Sequence, residues 1–339
     1  MRHWGRAGRV VSIPLLLAGA VCFGHASIAS CQAPDKDTSE AAARVLAGMV
    51  DRLSIGDAFA SKVRQRVWLR GREVVGQGTY EQAGRGSGQF NLQVNMLDGD
   101  GQHALQQISD GRLAWTRQQI GDQLQLRRVD VGRLDQWVSP SASNPLLPLL
   151  AGETSPRPVL TSTFAKLPPS VRVGGFVEMI ENIAFQNRLS LATGRLQEQR
   201  VWIVTADLTV LARRRIHPEG DDTWPVLCPT RTVIAIAQED TPETRFGRGL
   251  PVRIEFYSDP LNEDDQVDES ETPSESATRV PERQLISLLE LHQVRPIDPP
   301  PVERFRFENQ NIDFVNETDR YLNRYGIELT NRQSRTLRR

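Results

Sequence analysis

The sequence predicts an α+β fold in which short antiparallel strands form a sheet and helices lie across one face of it. Three observations carry that expectation. A stretch beginning near Thr38 has helical apolar spacing; residues 63–129 alternate with a period of two between compact turns; and the centre returns to helical spacing before strands resume. With 339 residues, 41 Lys and Arg against 42 Asp and Glu, the chain has room for a substantial core and lacks the basic excess of a nonspecific nucleic-acid binder.

Ahead of that fold, Arg2, Arg6 and Arg9 precede the apolar run Val10 to Phe23, and the segment closes on Ile28-Ala29-Ser30-Cys31. The run is shorter than the roughly 20 residues of a spanning helix and Gly19 interrupts it, so residues 1–30 read as an export signal. Removing them takes away three arginines and no acid, which moves the formal charge from -1 to -4. The four residues ending at Cys31 resemble a bacterial lipobox, which implies acylation of Cys31, a tether over 31–38 and placement on the periplasmic side of the outer membrane. Cleavage after Ala29 is the alternative; it leaves a soluble periplasmic chain in which Cys31 and Cys228 are free to form a disulfide.

Thr38 or Ser39 is expected to cap a helix carrying Val45, Leu46, Met49, Val50 and Leu53 on one stripe. Val63, Val67 and Leu69 mark a strand. Phe90, Leu92, Val94 and Met96 then alternate with Gln89, Asn91, Gln93 and Asn95, one dry face against one wet one. Further strands are expected at 104–108, 112–118 and 123–129, with turns at Asp110-Gly111 and Gly121-Asp122. Gly84, Gly86 and Gly88 fit a hairpin turn better than a phosphate loop, since no helix follows them.

After the cluster Leu146, Leu147, Leu149 and Leu150, helices are expected at 158–166 and 176–185, the second placing Phe176, Met179, Ile180 and Ile183 along one side. Strands are expected at 199–206, 208–216, 230–238, 252–257 and 284–294, with Phe305 and Phe307 closing the sheet. Residues 258–278 hold eight acids and no Lys or Arg, so 258–283 reads as an acidic solvated loop inside the same domain, 39–310. Asn316 is expected to cap a short helix with Tyr321, Leu322 and Tyr325 in a C-terminal extension, 311–329, ahead of a basic tail, 330–339.

The succession of N-terminal helix, strand meander, Asp110-Gly111 turn with Trp115, central helices and the late strand from Gly249 to Tyr257 resembles the periplasmic lipoprotein-carrier family LolA and its relatives LolB and the LppX-like proteins, over residues 40–310. The resemblance implies a strongly curved antiparallel sheet, an incomplete barrel, whose concave side is covered by helices and encloses an apolar cavity for acyl chains. The residues it implies as cavity lining are Leu69, Phe90, Leu92, Val94, Met96, Trp115, Leu126, Phe176, Met179, Ile180, Trp202, Val204, Ile236 and Phe256. The implied partner is an acyl chain, a lipid or a lipoprotein, with membrane attachment through Cys31 and no cofactor.

The same apolar face also serves a filled core, in which case the chain is an envelope scaffold or protein-binding module. Catalysis is the third class. His103, His217 and His292 lack metal-ligand spacing, and neither a Gly-x-Ser-x-Gly nucleophile turn nor a His-Glu-x-x-His zinc motif occurs. Glu178, Asp207 and His217 are the polar groups to inspect for convergence.

Overall fold

A computed structural model describes residues 36–69, 72–98, 101–138, 158–217, 224–225, 228–259, 283–309, 312–327 and 329. The signal, Cys31, the Leu146–Leu150 cluster, residues 260–282 of the acidic loop and the basic tail lie outside the described residues. Helix α1 (Lys36–Ser54) leads into β1 (Phe59–Leu69), β2 (Arg72–Gln82), β3 (Gln89–Asp98), β4 (Gly101–Asp110), β5 (Ala114–Ile120) and β6 (Gln123–Val129). Helices α2 (Val131–Trp137), α3 (Pro158–Ala165), α4 (Pro169–Arg172) and α5 (Gly175–Gln186) follow. Strands β7 (Asn187–Leu196) and β8 (Gln199–Leu208), helix α6 (Val210–Ile216), then β9 (Arg231–Ala237), β10 (Pro251–Ser258), β11 (Gln284–Pro296), β12 (Val315–Asn316) and α7 (Thr318–Arg324) complete the order.

These strands make one sheet of twelve, ordered β12-β6-β5-β4-β3-β2-β1-β11-β10-β9-β8-β7. Every neighbouring pair is antiparallel except β12 with β6, which is parallel. The expected strongly curved incomplete barrel is therefore corrected to an open mixed sheet, neither strongly curled nor closed. A barrel joins its first and last strands through backbone hydrogen bonds, whereas here β7 and β12 stand at opposite ends of the order. As expected, helices cover the apolar face: α1 packs on α3, α5, β7 and β8, and α5 packs on β7, β8 and β3.

Leu46, Met49, Val50 and Leu53 of α1 are buried against that face. Deeper in the core, a chain of rings runs from Phe246 through Phe59 and Tyr80 to Phe176, with centroid separations of 6.0, 5.5 and 4.7 Å. Ring pairs at these separations add about 0.5–1.5 kcal/mol each beyond their buried area.

Several local expectations change. Thr38 and Ser39 lie inside α1, which already runs at Lys36. The segment expected as a strand at 208–216 is instead α6, because the Thr209 hydroxyl accepts the amide of Ala212 at 3.2 Å and caps a helix ending in Arg213, Arg214 and Arg215. Phe305 sits in a 3-10 turn, Val302–Phe305, rather than in a closing strand. Asn316 acts at the start of α7, its side-chain oxygen accepting the amide of Thr318 at 3.1 Å.

Candidate functional site

One face of α1 is left open. Arg44, Gly48 and Arg52 recur at intervals of four and so stand in line along the helix, beside Val45 and Met49. This stripe faces Trp202 of β8, Ile236 of β9 and the β9–β10 connection at Asp240, Arg248 and Gly249, and together they line an open groove of about 550 Å³. The floor is apolar (Val45, Met49, Trp202 and Ile236) and the rim carries Arg44, Arg52, Arg248 and Asp240, with Arg44 also paired to Glu40 at 3.0 Å. The volume falls within the range of small-ligand and peptide-side-chain pockets.

Each wall is fixed by its own contacts. Arg52 lies over the ring of Phe246 with its guanidinium carbon 4.4 Å from the centroid, and Asp57 pairs with it at 3.4 Å. Asp240 accepts the backbone amide of Arg248 at 2.9 Å, which closes the β9–β10 turn over the groove. Trp202 is held by the β8–β9 pairing, directly opposite Ile236. Gly48 is exposed, and a Cβ added there would meet no heavy atom within 4 Å.

The sequence-derived lining residues fall in three places. Phe90, Leu92, Val94, Met96, Phe176, Ile180, Val204, Ile236 and Phe256 are buried in the main core, with Met179 and Trp202 half-buried against it. Trp115 and Leu126 belong to a separate cluster with Ile108, reached by Phe307 and Ile312. Leu69 ends β1, and its side chain lies outside the described residues. Trp202 and Ile236 are the members that reach the groove. A second recess, beside Tyr80, Phe90 and Phe176, measures about 20 Å³, space for about one water molecule. Sequence patterning passed over Arg44, Gly48, Arg52 and Arg248; the glycine inside a helical stripe, between two arginines, was the available signal.

The polar groups singled out for catalysis do not converge. Glu178 on α5 accepts the Tyr321 hydroxyl at 2.8 Å and pairs with Arg324 at 2.7 Å. Arg324 also reaches Glu181 at 3.2 Å, and the almost fully buried Glu181 pairs with Arg172. Desolvation would lower the pKa of Arg324, but Glu178 and Glu181 outweigh it and hold the guanidinium charged. Asp207, at the far end of β8, is bound by Arg231 at 2.7 Å and Arg283 at 2.6 Å. Burial acts to raise the Asp207 pKa, yet the hydrogen bonds and charges of Arg231 and Arg283 bring it below its ordinary value. His217 packs edge-on against Trp224 at 6.3 Å. Among the described residues no group of three or more His, Cys, Asp and Glu is placed to hold a metal ion.

No protein-family model matches the sequence, and no curated protein matches it. Among solved structures, a LolA superfamily protein from Nitrosomonas europaea matches at 11% identity with a TM-score of 0.26, over 78% of this chain and 97% of that one. A putative outer membrane lipoprotein-sorting protein domain from Vibrio parahaemolyticus matches at 10% identity and TM-score 0.32, covering 79% and 97%. The Pseudomonas aeruginosa MucA/MucB complex matches at 10% identity and TM-score 0.31, covering 79% of this chain and 61% of that one.

Proposed function

We propose that this protein is a noncatalytic binding module of the bacterial envelope that holds an acidic, partly apolar segment of a protein partner in the groove between α1, β8 and β9. The observation that supports it most is Gly48. A glycine inside a helix costs about 0.5–1 kcal/mol relative to alanine, and no neighbour lies close enough to demand one here. What the missing side chain does is keep the groove open between Arg44 and Arg52. The apolar floor offers area to a hydrophobic side chain, while the arginine rim offers charge-assisted hydrogen bonds to carboxylates.

A protein segment suits this groove better than an acyl chain because the groove lies open at the surface, whereas a lipid tail needs enclosure over most of its length. Within the same proposal the protein is exported, acylated at Cys31 and tethered by it, on the strength of the Ile28-Ala29-Ser30-Cys31 segment.

The test is a benzophenone amino acid placed at Val45, with Ile55, an exposed residue outside the groove lining, as control. The full-length protein is irradiated in bacterial cells and analysed by denaturing mass spectrometry. A protein adduct at Val45 that is absent at Ile55 and abolished by Gly48→Leu is the expected result. An adduct of lipid mass alone replaces the partner by an acyl chain, and no adduct in either class sinks the reading of the groove as a binding site.

A further inference from the structure

The C-terminal segment wraps the β6 edge and packs on both faces of the sheet. Ala114, across Ser109 from Phe90, lies on the helix-covered face, and Trp115, the next residue of β5, lies on the other. On the Trp115 side, Phe307 stacks on that ring at 5.0 Å and Phe314 meets it edge-on at 5.2 Å. β12 then passes along the edge of β6, and α7 brings Tyr321, Leu322 and Tyr325 onto the opposite face, in one cluster with Ala114, Val129 and Leu134.

The crossing itself is thin. β12 is two residues long and parallel to β6, and Asp313, Phe314, Val315 and Asn316 are all exposed, Val315 by 62%. It covers part of a row that the β5–β6 hairpin turns outward. The two-residue turn Gly121-Asp122 makes Ile120 and Gln123 a bonded pair, so Gln123, Gln125 and Arg127 bond to β5 while Leu124, Leu126 and Arg128 face away from it. The bond from the amide of Glu317 to the carbonyl of Arg128, at 2.8 Å, has that phase. One step further, the amide of Asp130 donates to the Thr318 hydroxyl at 2.9 Å.

The seam under α7 is polar. The Tyr321 hydroxyl and Arg324 reach Glu178, and Arg324 also reaches Glu181 and Asn182, all at 2.7 to 3.2 Å. Two atoms of the seam, Tyr325 Oη and Arg172 Nε, are buried without a hydrogen-bond partner. Buried ion pairs give back in desolvation much of what they gain, and water takes over these groups once the helix leaves, so the seam resists parting less than an apolar one of the same area. We infer that residues 312–327 are a clasp that leaves the β6 edge as one unit while the main core stays folded, extending the outward row from Leu124 and Leu126 to Arg128 and Asp130. Closed, it withholds those groups from any other strand. The device is separate from the groove, which involves β8 and β9 near the other end of the strand order.

The test is native-state hydrogen exchange of the isotope-labelled mature chain in low urea. Four amides report the clasp: Glu317 bonded to Arg128, Tyr325 to Tyr321, Ile327 to Leu322, and Asp130, which lies outside the segment and bonds to Thr318. The expected result is one common opening constant for all four, at least a hundredfold larger than that of the β1 and β2 amides. Arg324→Ala should raise it at least tenfold and leave β1 and β2 unchanged. Tyr325→Phe removes the partnerless hydroxyl and should lower it severalfold, a readout that stands even if the alanine variant fails to fold. Gly48→Leu should not move it. Exchange of the four amides at the β1 and β2 constant overturns the inference, because the segment then opens only with the whole domain. A graded loss from Ile327 inward that leaves Asp130 protected overturns it as simple fraying. A constant that Tyr325→Phe leaves unchanged or raises overturns it too, since the polar seam is then not the plane that parts.

Discussion

The two ends of the sheet are treated differently. At one end β6 is partly covered: β12 pairs with Arg127 and Arg128, the amide of Glu317 donates to the carbonyl of Arg128 at 2.8 Å, and the amide of Asp130 donates to the buried Thr318 hydroxyl at 2.9 Å. Helix α7 then anchors that cover on α5 through Arg324, Glu178 and Glu181. At the other end β7 runs its full ten residues with β8 as its one strand partner among the described residues. The chain thus shuts the β6 edge with a further strand and a buried charge network, whereas β7 has no second strand among the described residues and its fully buried Leu189 is covered by helix packing instead. A strand edge can be blunted by a further strand fixed through long-range contacts or by a helix laid over it, and the two ends use one each.

The comparison breaks most strongly at Glu181. Glu181→Ala strands Arg172, which is buried, and removes one partner of Arg324; loss of one partner from a buried ion pair costs about 3–5 kcal/mol. Urea denaturation should report a loss of that order, and hydrogen exchange should show the amides of β6 deprotected along with α7. If stability falls by less than about 1 kcal/mol, in the range of surface ion pairs, the network does not hold that edge shut.

A smaller effect is expected at Thr318, whose hydroxyl accepts from Asp130 and donates to Asn316 at 2.7 Å. Thr318→Ala should cost about 1–2 kcal/mol, the range for an N-terminal capping residue or a buried donor left without a partner. Thr318→Ser, which keeps the hydroxyl, should recover part of it. On the open side, Gly48→Ala should raise stability by about 0.5–1 kcal/mol, because the added methyl enters empty space. A destabilised alanine variant would show that the groove is filled by something else.

The smallest effect is acid sensitivity at the β7–β8 end. Burial acts to raise both Asp207 and Asp259, but the neighbouring arginines, with the Thr230 hydroxyl at Asp259, hold both below the usual 3.8. A carboxyl depressed in the folded state contributes stability that is fully present above about pH 4 and is lost as the pH falls through the folded values. The stability curve should therefore steepen below pH 4, and Asp207→Asn should flatten that limb. An unchanged acid limb would remove Asp207 from the ion-pair network as a source of stability.

Legibility in the sequence followed the strength of local pattern. β3 was plain because Phe90, Leu92, Val94 and Met96 alternate without a break, and each is buried in the main core. β7 is hard to read because, beyond the buried Leu189, the residues on the same face become polar at Thr193 and Arg195, which are exposed, so the apolar alternation stops after Leu191. α6 reads as a strand because Leu208, Val210 and Ala212 alternate like one, and one capping hydroxyl outweighs them. Trp202 and Ile236 were identifiable as members of a dry face, but nothing local joined them to Arg44, Gly48 and Arg248, which come from separate parts of the chain.

The sequence by itself determined the helix and strand periods, the turn glycines and which faces are dry, because these depend on neighbours a few residues apart. The open sheet, its strand-covered edge, the groove beside Gly48 and the burial of Glu181 between two arginines were decided by the tertiary structure alone, because each depends on which distant strands and helices come to lie side by side.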